Sequence, residues 1–72
     1  MKYLEIADAE GRPTVVATAM IVAVTQGPFM ESYDKQQYRS SIILTLGGHK
    51  IESRTPCETV RKGWLAYLQN QP

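Results

Sequence analysis

The sequence predicts an α+β fold, an antiparallel sheet of four to five strands with one C-terminal helix packed on it. Three observations carry this. Residues 14–25 are rich in Val, Ile and Thr, the residues that favour strands. Two apolar runs meet across Gly47-Gly48, a hairpin signal, because both central residues of a tight primed turn take positive φ. The run Thr55-Pro56-Cys57-Glu58 then opens an amphipathic stretch with helical spacing.

In chain order, residues 2–7 alternate, with Leu4 and Ile6 on one face and Tyr3 and Glu5 on the other, which predicts a half-buried first strand. Residues 8–13 form a turn punctuated by Gly11 and Pro13. Residues 14–25 give one long strand, or two short ones broken near Ala17-Thr18-Ala19. Gly27-Pro28 breaks that strand, and residues 26–37 read as the one long irregular loop. Residues 41–46 are the next strand. A two-residue Gly-Gly loop sets Leu46 opposite His49, Leu44 opposite Ile51 and Ile42 opposite Ser53. One face is then Ile42, Leu44, Leu46 and Ile51, and the other is Ile43, Thr45, Lys50, Glu52 and Arg54. Thr55 is the expected N-cap, Pro56 the first helical residue and Glu58 the third corner of a capping box. Val60, Trp64 and Leu68, four apart, form the helix stripe, which ends near Asn70 and is expected to bury on the Ile42/Leu44/Leu46/Ile51 face. Gly63 costs about 1 kcal/mol relative to Ala in mid-helix, a cost consistent with close approach of helix to sheet.

The 72 residues make one small domain, 1–72. A chain of this size buries only about 60% of its unfolded surface, and its core supplies about 3–5 kcal/mol. One cysteine excludes an intramolecular disulfide, and no metal-ligand cluster is visible. Self-association is the remaining support, so a homo-oligomer is expected. Residues 13–30 carry no charge, but their apolar core spans only 10 residues, 15–24. About 20 are needed to cross a bilayer, so a buried strand and no membrane contact are expected. Lys2 is followed by Glu5, Asp8 and Glu10 with no apolar export segment, and with the lone Cys this points to the cytoplasm.

Net charge is +1, unevenly spread: residues 1–34 carry two basic and five acidic side chains, residues 35–72 six basic and two acidic. Lys35, Arg39, Lys50 and Arg54, alongside Tyr33 and Tyr38, are candidates for a surface that stacks bases and pairs phosphates, although Glu52 lies between Lys50 and Arg54. Phe29, Met30, Tyr33 and Tyr38 in the 26–37 loop and at its edge are candidate partner-binding residues, because aromatics and Met are enriched in interface cores. The alternative is a loop folded back over the core. His49 lacks neighbouring partners for catalysis or metal binding. Cys57 sits where the helix dipole favours thiolate, but it has no second cysteine and serves better as a packing residue. Glu58 is committed to the cap, and Gly47-Gly48 lacks the Lys-Ser/Thr of a phosphate loop. No catalytic residue, metal or cofactor is therefore assigned.

The succession of a first strand, a Gly-containing turn, Val15-Val16, Ile21-x-x-Val24, Ser40-Ser41-Ile42-Ile43-Leu44-x-Leu46-x-Gly48 and Thr55-x-x-Glu58-x-Val60 resembles, as a pattern, the short FlbD-type proteins associated with flagella and swarming. Its last third is also similar to the LytTR-type DNA-binding module. The resemblance implies no catalytic residues. The expected function is that of a non-enzymatic interaction or accessory protein of a bacterium or phage, acting as a homo-oligomer. A nucleic-acid-binding regulator using the basic hairpin face is the alternative.

Overall fold

Alternation, a proline-delimited helix start and two glycine turns build the chain. The computed structural model describes residues 2–70, comprising β1 (Tyr3–Ala7), β2 (Pro13–Ala17), a 3-10 turn (Thr18–Met20), β3 (Ile21–Glu31), β4 (Gln37–Thr45), β5 (Lys50–Ser53) and α1 (Cys57–Gln69). All ladders are antiparallel: β1 pairs β2, and β3-β4-β5 form a second sheet with α1 packed against it. This is the predicted α+β class. The stretch 14–25 takes its two-strand form, broken by the turn at Thr18–Met20.

The two sheets join where β1 ends. Asp8 bridges to Ser53. The Ala7 carbonyl accepts from the Arg54 N–H at 2.9 Å and from the Ser53 hydroxyl at 2.7 Å. The Ala7 N–H donates to the Thr55 hydroxyl at 2.9 Å. Thr55 therefore does not cap α1. Its hydroxyl is held by a strand 48 residues away in sequence, and the residue preceding the helix is Pro56.

The β4–β5 hairpin corrects the expected register. The ladder pairs Ser41 with Ser53, Ile42 with Glu52, Ile43 with Ile51 and Leu44 with Lys50. Thr45 N–H donates to His49 O at 2.9 Å, so the loop is Leu46-Gly47-Gly48, three residues rather than two. Both glycines take positive φ, 88° and 80°. The one-residue slip exchanges the faces. Ile43, expected outside, is 0% exposed, whereas Leu46, expected inside, is 53% exposed. Ser41 and Ser53 are buried on the core face with Ile43. Their hydroxyls are satisfied there, Ser41 donating to Thr55 O at 2.9 Å and Ser53 to Ala7 O.

The core is Leu4, Ile6, Val16, Ile21, Ile43 and Val60, with Val24, Ile51 and Trp64 against it. The helix stripe thus buries on the Ile43 side of the sheet and on β1, not on Ile42 and Leu44. Val60 is fully covered, Trp64 is half-buried, and Leu68 runs off the core at 46% exposure. The Trp64 indole N–H is buried without a hydrogen-bond partner among the described residues. Gly63 meets β1: a Cβ there would lie 2.7 Å from Leu4 Cδ2.

Candidate interaction surface

Residues 26–37, expected as a loop, are mostly strand. β3 continues to Glu31 and β4 begins at Gln37, leaving only residues 32–36 as a turn. Gly27-Pro28 does not end β3; it makes a bulge between the pairs Gln26/Ser41 and Phe29/Arg39. The missing Pro28 N–H is tolerated because it falls in the bulge of an edge strand. The bulge is pinned from β4: the Ser40 hydroxyl donates to Pro28 O at 2.8 Å, and Arg39 Nη1 donates to Gly27 O at 3.1 Å. A Cβ on Gly27 would stand 2.6 Å from Ser40 Oγ, so a larger residue would displace the hydroxyl that holds Pro28 O.

β5 pairs with β4 only from Leu44 to Ser41. Past that point β3 and β4 form a two-stranded arm, with no third strand among the described residues. Its tip is closed by Ser32 N–H to Gln36 O at 2.8 Å and Lys35 N–H to Ser32 O at 2.9 Å, with Lys35 at φ 65°. The Ser32 hydroxyl donates to Asp34 Oδ1, which holds the Asp34 carboxyl below the usual aspartate range.

The candidate partner-binding residues all lie on this arm. Cross-strand partners share a face, so Phe29 with Arg39 occupies one face and Met30 with Tyr38 the other. Tyr33 is at the tip. Phe29 is 61% exposed and Tyr33 fully so, while Met30 and Tyr38 are half-buried. The Arg39 guanidinium sits 4.1 Å from the Phe29 ring centroid, a cation–π stack. The arm brings the four together along one ribbon but divides them between its faces.

The four candidate cations do not converge. Lys35 is at the arm tip, whereas Lys50 pairs with Leu44 near the opposite end of β4. Arg39 is engaged with Phe29 and Gly27 O. Arg54 Nε donates to Ala9 O at 2.8 Å, against the β1–β2 turn. Lys50 opens β5 and Arg54 lies just past its end, with Glu52 between them in sequence. His49 precedes β5 and Cys57 follows it, so the full length of that strand separates them. Cys57 is a free, buried thiol. Among the described residues no group of three or more His, Cys, Asp or Glu is placed to hold a metal ion, and no helix is long and apolar enough to cross a membrane.

Upstream of the predicted strand start the sequence offers no alternation that would announce the arm: Tyr38-Arg39-Ser40-Ser41 sets one ring beside three polar residues. No clue announced that Ser40 and Arg39 would pin the bulge. No family model matches this chain, and neither the curated proteins nor the solved structures contain a significant match to it.

Proposed function

We propose that this chain is a non-enzymatic interaction protein that works as a homo-oligomer and uses the β3–β4 arm as its contact surface. The observation that carries this reading is the exposure of Phe29 and Tyr33 on a two-stranded projection. An isolated ribbon is marginal in water and gains from being packed against something, and Tyr is among the residue types that dominate interface energies. The apolar content supports the same reading. Among the described residues eight large hydrophobic side chains are exposed, including Val15, Met20 and Val22 from the uncharged stretch 13–30. β3 also lies at a sheet edge, unpaired along its outer side among the described residues.

Sedimentation equilibrium of the wild type and of the Phe29→Ala/Tyr33→Ala variant tests this. The wild type is expected to be heavier than one chain, with association in the double variant weakened by about tenfold or more. A wild type that stays monomeric at all concentrations removes the oligomer. A double variant that associates as the wild type does removes the arm.

A further inference from the structure

We infer that the outer edge of β1, beside α1, is a docking groove for one extended strand of another polypeptide, added antiparallel to β1. The inference concerns a different surface from the arm and does not rest on it.

The β1–β2 ladder fixes which backbone groups are spent. Thr18 N–H donates to Lys2 O at 3.1 Å and Asp8 N–H to Arg12 O at 2.9 Å. Both contacts fall on even-numbered residues, one on each side of β1 and in register with its ladder. In an antiparallel pair the residues alternate between facing the partner and facing away. Lys2, Leu4, Ile6 and Asp8 therefore turn their backbone groups to β2, and Tyr3, Glu5 and Ala7 turn theirs outward. Ala7 is satisfied by Ser53, Arg54 and Thr55. The chain then leaves the edge, because Pro56 has no N–H and α1 begins at Cys57. Tyr3 and Glu5 are left with outward N–H and C=O groups that no backbone partner meets among the described residues.

Beside these groups lies a cleft of about 490 Å³ between β1 and α1, its floor and walls including Leu4, Ile6, Thr59, Val60 and Gly63. The lack of a side chain on Gly63 brings the helix against Leu4 and forms the far wall. A free strand edge next to an apolar cleft is the arrangement that captures peptides by strand addition, with backbone bonds supplying affinity and the pocket supplying specificity. Only an extended backbone offers donor and acceptor pairs at the two-residue spacing of Tyr3 and Glu5.

The occupant's chemistry follows from the register. A strand continuing the direction of β5 meets Glu5 first, then Leu4, then Tyr3. The residue opposite Glu5 lies on the exposed face beside a carboxylate and is Lys or Arg. The residue opposite Leu4 points into the cleft and is aliphatic. The residue opposite Tyr3 is aromatic or β-branched. A second copy of this chain is a poorer occupant, because its β1 has α1 beside the outer edge and its free β3 edge carries no Lys or Arg to set opposite Glu5.

The test is selection from a displayed random-peptide library on the full chain. Synthetic copies of the winning peptides are then followed by amide NMR. Enrichment of a basic–aliphatic–aromatic or β-branched triplet is expected. The Tyr3 and Glu5 amides should shift and exchange more slowly on binding. N-methylation of the peptide residue opposite Glu5 should weaken binding about tenfold. Thr59→Trp, at an exposed groove position, should block binding, Glu5→Lys should exchange the preference for a basic residue for an acidic one, and Phe29→Ala/Tyr33→Ala should leave binding unchanged. Failure to enrich any peptide, peptides that perturb other amides, or indifference to N-methylation overturns the groove. Protection of the Tyr3 and Glu5 amides on self-association of the free chain would assign the edge to a second copy and overturn the peptide.

Discussion

Replacing Gly63 by Ala sets two effects of known size against each other. In an exposed helix interior the change stabilises by about 1 kcal/mol. Here the new Cβ would sit 2.7 Å from Leu4 Cδ2, whereas carbon atoms prefer about 3.5–4.0 Å. Leu4 is in the core cluster with Ile6 and Val60, so the shortfall of about 1 Å has to be taken up within packed material. If the Leu4 side chain rotates out of its well toward the cleft, the cost is about 0.5–1.5 kcal/mol. If α1 lifts, overpacking costs about 1–3 kcal/mol. The net expectation for Gly63→Ala lies between a gain of about 0.5 and a loss of about 2 kcal/mol, instead of a gain of about 1. In a Leu4→Val background the obstructing Cδ2 is gone, and the same substitution should stabilise by about 1 kcal/mol. Urea unfolding of the four proteins gives the comparison, provided the slope with denaturant stays constant. A coupling energy of about 0.5–3 kcal/mol between the two positions is expected. Equal stabilisation by Gly63→Ala in both backgrounds would refute the claim that the glycine exists to admit Leu4.

Two further outcomes follow from the packing and the arm tip. Ile43→Val should cost about 0.5–1.5 kcal/mol and Ile42→Val, on the opposite face, less than about 0.5 kcal/mol; the reverse order in urea melts would restore the two-residue turn. The Asp34 carboxylate accepts from the Ser32 hydroxyl, which lowers its pKa in the fold. Its contribution is therefore present above the unfolded-state pKa and lost as pH falls through the lower folded value. Carboxyl NMR should find Asp34 titrating below the same residue in an unfolded peptide of residues 32–36, with the Gln36 amide following it. Coincident titration in the two would remove the tip contact.

The elements were legible because each obeys a local rule. β1 alternates, Thr18–Met20 interrupts a β-branched run near the predicted break, and Pro56 marks the helix start within a residue. The hairpin register was not legible, for a specific reason. Ile42-Ile43-Leu44 is a continuous apolar run, so either face can be drawn as greasy. The deciding residues are Ser41 and Ser53, which reading by polarity sends outward. They are inside because Thr55 O and Ala7 O accept their hydroxyl protons, and the Ala7 contact spans 46 residues of sequence. The arm was missed because Gly27-Pro28 is both a strand breaker and a bulge maker. Which one it is depends on whether a facing strand supplies groups such as Ser40 Oγ and the Arg39 guanidinium. The placement of the candidate aromatics near one another could be read from sequence. Their division between two faces depended on the ladder.

The single tryptophan gives this chain a built-in optical gauge. Its indole rests against the core from α1, and its N–H meets no acceptor among the described residues. Emission from such a ring is governed by how dry its surroundings are. A red shift on dilution, heating or denaturant would record the helix parting from the sheet, without a label or an added chromophore.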